Sequence, residues 1–227
     1  MSSDLLDPVH PAPARRPHPY DGLKRVVDVV GAAVLLVLAA PLLLLVAALV
    51  AGGLGRPVLF RQLRAGRYGR PFELVKFRTM HPPDPRRGRT EDGARLTRLG
   101  RWLRATSLDE LPTLWNVLRG DMSLVGPRPL LCEYLGRYTP TQFRRHEVRP
   151  GVTGLAQVRG RNGLGWEEKF EHDVWYVDHR GPRLDVTILA ETVRTVLRRE
   201  GITAEGAATA PEFLGSQSWR AEQQTLA

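Results

Sequence analysis

Asp109 and Glu110 are adjacent carboxylates, with Arg104 five residues upstream and Arg128 downstream in Gly126-Pro127-Arg128-Pro129. These residue types suit phosphate chemistry. An ionised carboxylate can attack phosphorus and form an aspartyl-phosphate-type adduct. Guanidinium forks can grip phosphate oxygens in pairs. Lys76, in Lys76-Phe77-Arg78-Thr79-Met80, is a lysine inside an otherwise apolar strand, either a charge partner for the acidic pair or a snorkelling edge residue. Adjacent carboxylates beside phosphate also suit Mg²⁺, which takes one or two carboxylates plus phosphate oxygens.

A plainer reading of the same residues stands beside this one. Ser107-Leu108-Asp109-Glu110 matches a capping box, which only satisfies backbone groups. With Pro112 in the first turn, Asp109 would be the N-cap of a helix, where negative charge is favoured and the carboxylate stays ionised near neutral pH. Such a helix start also offers its free amides to phosphate. The GxxxxGK[ST] phosphate loop is absent, which argues against an NTPase. Six scattered histidines lack zinc spacing, and the single cysteine excludes an internal disulfide framework.

Several elements must position these groups. Alternating apolar runs at 58–63 and 72–77 flank a Gly-rich turn and predict a β-hairpin. Proline and charge at 81–93 predict a loop. Leu96, Leu99, Trp102 and Leu103 recur at helical spacing, fitting either a helix on a membrane surface or one packed on a core. Short helices are expected at 130–138 and 142–146, turns at 149–151 and 160–165, and longer helices at 166–177 and 185–199.

Residues 29–55 carry no charge in 27 positions. About 20 apolar residues suffice to cross a bilayer. Pro41 interrupts the run, however, and both flanks are basic: Lys24 and Arg25 before it, Arg56, Arg61, Arg64 and Arg67 after it. Positive flanks stay cytoplasmic. A re-entrant helix-break-helix with both ends in the cytoplasm fits these features, and a single kinked crossing is the alternative. The net charge is +9, and residues 56–104 hold 14 Lys/Arg against 4 Asp/Glu. A basic block of this kind meets nucleic acid, anionic lipid or a phosphorylated substrate.

The expected class is α+β and mainly helical. A proline-rich, disordered arm (1–20) precedes the membrane hairpin (21–56), a compact cytoplasmic domain (57–200) with a short β-hairpin and amphipathic interfacial helices, and a tail (201–227).

Read in order, Lys24-Arg25-x-x-Asp28, the apolar hairpin, the 76–80 and 107–112 segments, 116–129 ending in Gly-Pro-Arg-Pro, Arg149-Pro-Gly-Val-Thr-Gly154 and Asp173-Val-Trp-Tyr-Val177 resemble the bacterial sugar transferases, the monotopic polyprenyl-phosphate phosphoglycosyl transferases. The likeness covers about 23–212 and suggests the minimal, catalytic-domain form. It implies transfer of a sugar-1-phosphate from a UDP-sugar to undecaprenyl phosphate, with release of UMP, at the cytoplasmic face of the bacterial plasma membrane. The short form points by analogy to an N-acetylated amino sugar. The resemblance further implies Mg²⁺, Asp109 as nucleophile in a ping-pong reaction, and Glu110 as its partner at the metal or in acid–base positioning. Arg104, Arg128 and Arg149 are implied as phosphate contacts, with Lys76 and Asp173 near the site. Membrane lipids are expected partners, nucleic acid is not, and homodimerisation is left open. Family members often carry Ser-Pro at the helix break, where this chain has Ala40-Pro41. The competing class is a non-enzymatic membrane-anchored module that binds anionic lipid or nucleic acid through the basic block, and UMP release from UDP-sugars separates the two.

Overall fold

The computed structural model describes residues 18–88, 90–160, 163–198 and 212–216. Most of the expected arm and tail, two residues of the turn at 160–165 and the end of the last helix lie outside the described residues.

Helix α1 (Tyr20–Leu54) runs 35 residues, about 52 Å at 1.5 Å per residue. It passes through Pro41 without interruption, which corrects the expected break. One proline removes a single backbone donor, and hydrogen bonds of neighbouring residues span the gap. A stripe at helical spacing is buried: Tyr20, Lys24, Asp28, Ala32, Val46 and Val50. The opposite surface is bare and apolar, with Leu38 and Leu44 each 73% exposed. So long an unpartnered apolar surface is the mark of a lipid-facing element.

Both ends of α1 attach to the same globular body. Near the start, Lys24 Nζ donates to Asp185 Oδ2 (2.5 Å). Arg25 donates to the carbonyls of Val117 and Leu118. Asp28 Oδ1 accepts from Leu124 N and Ser123 Oγ. At the far end Arg78 donates to the carbonyls of Leu54 and Gly55, covering acceptors that a helix terminus leaves open. Val46 and Val50 pack with Phe77 and Leu103.

Strands β1 (Leu59–Ala65) and β2 (Pro71–Phe77) form the expected antiparallel hairpin. The 81–93 segment is a loop holding a 3-10 turn at Pro85–Arg87, followed by the short helix α2 (Asp92–Arg95). Helix α3 (Arg98–Ala105) starts two residues later than its spacing suggested, because the Thr97 side chain caps it by accepting from Gly100 N. Its Leu103 is buried and its Trp102 is 46% exposed.

Helix α4 (Thr113–Arg119) carries the main core with α7 (Trp166–His179) and α8 (Pro182–Arg198). Between them lies a parallel pair that the sequence did not announce, β3 (Ser123–Val125) with β4 (Gly151–Thr153). Three residues per strand are too few to show a period. Helices α5 (Pro140–Phe143), opened by a Thr139–Gln142 capping box, and α6 (Leu155–Arg159) complete the described helices.

Candidate active site

Asp109 sits in a 3-10 turn, Leu108–Glu110, four residues before α4 begins at Thr113. It is therefore not the N-cap of that helix. Ser107 makes no capping hydrogen bond and adopts a left-handed conformation (φ 57°), so the capping-box reading is corrected as well. A serine there is uncommon, and the turn it makes buries Asp109, which is 4% exposed. Leu108 packs against the buried cluster of Val46, Val50, Phe77 and Leu103. The candidate nucleophile is thus one residue from a side chain in a core that α1 helps to build.

Lys76 arrives from β2. The edge of that strand is tied to α4 by Asn116, whose side chain accepts from Val75 N (3.1 Å) and donates to Glu73 O (2.7 Å). Arg104 arrives from α3, with Nε donating to Thr79 Oγ1 (3.1 Å). Gly100 permits that approach, since a Cβ there would lie 1.9 Å from the Thr79 carbonyl oxygen.

Arg128 comes from the Gly-Pro-Arg-Pro turn and donates to Glu110 Oε1 (2.7 Å). Three contacts hold that turn. Gly126 N donates to Thr153 O (2.9 Å), Gly151 N donates to Pro127 O (2.9 Å), and Arg145 Nη2 donates to Arg128 O (2.7 Å). A Cβ on Gly126 would meet Arg149 O at 2.5 Å, so the close pairing with β4 requires glycine.

Burial, with Glu110 beside it, pushes Asp109 up to about 6, while Lys76, Arg104 and Arg128 pull it back. Burial among cations replaces the expected helix terminus as its setting. Burial lowers Lys76 and Arg104, and in both cases Asp109 opposes the shift. Glu110 holds Arg128 above its ordinary value. A buried carboxylate flanked by cations can serve as a nucleophile toward an anionic electrophile.

Lys76, Arg104, Asp109, Glu110 and Arg128 therefore converge. Arg149 does not join them. Its Nε donates to Gly120 O (2.9 Å) at the C-terminal end of α4, where a cation suits the helix dipole, and its neighbouring charges are Arg67, Arg25, Asp28 and Asp21. Asp173 lies one step back: buried on α7, its Oδ2 accepts from Arg145 Nε (2.9 Å) and Nη2 (2.7 Å). Arg145 itself was missed by sequence reasoning, since Arg144-Arg145-His146 reads as a basic surface run. The period of a four-residue 3-10 turn, Arg144–Glu147, is too short to mark the buried arginine.

Among the described residues no group of three or more His, Cys, Asp and Glu lies together. A metal here would rest on Asp109 and Glu110 alone. That donor set fits Mg²⁺ only with substrate phosphate oxygens completing the shell.

One body thus carries an apolar helix exposed along one side and, in a separate turn, a buried carboxylate among cations. Residues 19–199 match the family described as Bacterial sugar transferase, and the chain belongs to that family. It is 52% identical over 195 residues to "Uncharacterized sugar transferase EpsL" of Bacillus subtilis (strain 168), a match spanning 86% of this chain and 96% of that one. It is 46% identical over 187 residues to the "UDP-glucose:undecaprenyl-phosphate glucose-1-phosphate transferase" of Caulobacter vibrioides, covering 77% and 69% of the two chains. With the "Undecaprenyl-phosphate galactose phosphotransferase" of Salmonella typhimurium it shares 39% over 197 residues, 79% of this chain and 41% of that one.

Proposed function

We propose that this chain transfers a sugar-1-phosphate from a UDP-sugar to undecaprenyl phosphate in two displacements through Asp109. In the first, an Asp109 carboxylate oxygen bonds to the β-phosphorus. The bond from that phosphorus to the bridging oxygen breaks, and UMP leaves with the electron pair. In the second, a phosphate oxygen of undecaprenyl phosphate attacks the same phosphorus. The Asp109–phosphorus bond breaks, yielding the polyprenyl diphosphate sugar and restoring the carboxylate. The observation that carries this reading is Asp109 itself, buried and flanked by Lys76, Arg104 and Arg128.

The transferred group is already charged, so the residues act by positioning and charge compensation. Arg104 and Lys76 face the phosphate at Asp109. Arg128 is held by Glu110 on one side and by its anchored turn on the other. Asp109 and Glu110 would hold Mg²⁺ together with the diphosphate. When bound, the ion neutralises charge on the phosphate oxygens.

The acceptor is a lipid, which requires the site at the membrane boundary. We infer that α1 leaves both of its flanks at the cytoplasmic face and does not cross the bilayer. That placement is supported by the attachment of both flanks to one body, because a bilayer core of about 30 Å would have to separate them in a simple crossing. UMP release from a panel of UDP-sugars, dependent on undecaprenyl phosphate and Mg²⁺, tests the reaction and identifies the sugar. No release from any donor overturns it.

A further inference from the structure

Arg64 takes no part in the site described above. It lies on β1, where side chains alternate between the two faces of the hairpin. The register pairs Phe60 with Lys76 and Arg64 with Phe72. Phe60, Gln62 and Arg64 therefore share the face that carries Lys76, and the Lys76 ammonium lies 5.5 Å from the centre of the Phe60 ring. The chain leaving the Arg128 turn is joined to the same strand. Ala65 N donates to Leu130 O (3.0 Å), and Arg64 makes an isolated antiparallel bridge with Leu131.

The guanidinium is only partly satisfied. Its Nη2 donates to Gln62 Oε1 (2.6 Å), while its buried Nε has no hydrogen-bond partner among the described residues. Arg128 is near enough to oppose the Arg64 charge, and Glu110 near enough to favour it. A buried N–H without an acceptor is costly, and like charges held together add to that cost. An anion between the two guanidiniums relieves both. Lys76 and Arg104 face Asp109, whereas Arg64 approaches on the Glu110 and Arg128 side.

We propose that Arg64 and Arg128 form a second anion subsite, which holds the nucleotide-side phosphate of the donor and then the departing nucleoside monophosphate. This rests on the two-displacement reaction proposed above.

The test uses the full chain in detergent micelles, with UMP as the probe in titration calorimetry. UMP affinity is expected to fall about tenfold or more in Arg64→Met, and by a smaller factor in Arg64→Lys, which keeps the charge and loses the fork. The KM for the UDP-sugar rises in parallel while kcat changes less. Cys132, the chain's single cysteine, is near Arg64 and gives a reading independent of turnover. UMP slows its alkylation by iodoacetamide in the wild type but not in Arg64→Met. Equal UMP affinity in all three proteins, or equal protection of Cys132, overturns the subsite. A wild-type chain that binds no UMP and releases none from any UDP-sugar overturns the underlying reaction instead.

Discussion

Arg128 Nη2 donates to Glu110 Oε1 across 2.7 Å, joining the Gly-Pro-Arg-Pro turn to the 3-10 turn that carries Asp109. The Arg128 side chain is 50% exposed. Ion pairs so open to water stabilise a fold by only about 0–1 kcal/mol. Its anchored backbone fits the proposed role of holding a donor phosphate. Arg128→Ala should therefore leave the melting temperature within a few degrees while lowering kcat/KM for UDP-sugar about 100-fold or more, about 2.7 kcal/mol of lost transition-state stabilisation. Retained activity with a collapsed melting temperature would reverse that assignment.

Asp109 makes function and stability pull apart. Its folded-state pKa of about 6 lies above the ordinary 3.8, through burial first and Glu110 second. The folded state therefore binds its proton more tightly than the unfolded chain does. The associated stability is complete below about pH 4 and is lost as pH rises through 6. At pH 7 the native state carries the cost of a buried charge, on the order of 3 kcal/mol at most. Asp109→Asn should raise the melting temperature at pH 7, and that gain should shrink toward pH 4. The rate of UMP release by the wild type in single turnover should climb between pH 5 and 7 as Asp109 ionises.

The Arg145–Asp173 pair is buried, with side-chain exposures of 2% and 5%. Removing one partner strands the other charge, which typically costs about 3–5 kcal/mol. Arg145→Met and Asp173→Leu should each melt early, and the double variant should recover much of the loss. The Arg128 carbonyl still lacks its donor in the double variant, so transfer should stay impaired. Denaturant unfolding beside UMP release measures both, and full activity in a stable double variant would confine the pair to a structural role.

Topology gives the next expectation. In a Cys132→Ser background, single cysteines at Gly22 and Arg56 should both react with a membrane-impermeant maleimide from the cytoplasmic side, in inverted vesicles but not in intact spheroplasts. Reaction from opposite sides would establish a simple crossing. Lys24→Met should loosen α1, because Asp185 would lose its cation and stay buried.

The site was legible where its parts are local. Asp109, Glu110, Arg104 and Arg128 stand in one stretch of sequence, and Lys76 stood out as a charge in an apolar strand. The hairpin, α7 and α8 followed from simple periods. Arg149 lies apart from the other expected residues, bonded to Gly120 O, because Arg-Pro-Gly predicts a turn but not which way the arginine points. Asp173 was placed near the site, but its link through Arg145 depends on a contact 28 residues apart. The left-handed Ser107 turned a familiar capping pattern into a turn that buries Asp109, and no propensity announces that. The run through Pro41 is bracketed by packing on the domain at Ala32 and Leu36 on one side and at Leu43, Val46 and Val50 on the other, and one lost hydrogen bond does not break the helix between them.

Covalent capture tests the central claim most directly. The chain is incubated with its UDP-sugar and Mg²⁺ in the absence of undecaprenyl phosphate, and intact mass is followed by peptide mapping. A mass increase of one phosphosugar on the peptide containing Asp109 is expected, discharged when undecaprenyl phosphate is added and absent in Asp109→Asn. A wild-type chain that turns over without any adduct, or an adduct that persists in Asp109→Asn, would contradict Asp109 as the nucleophile.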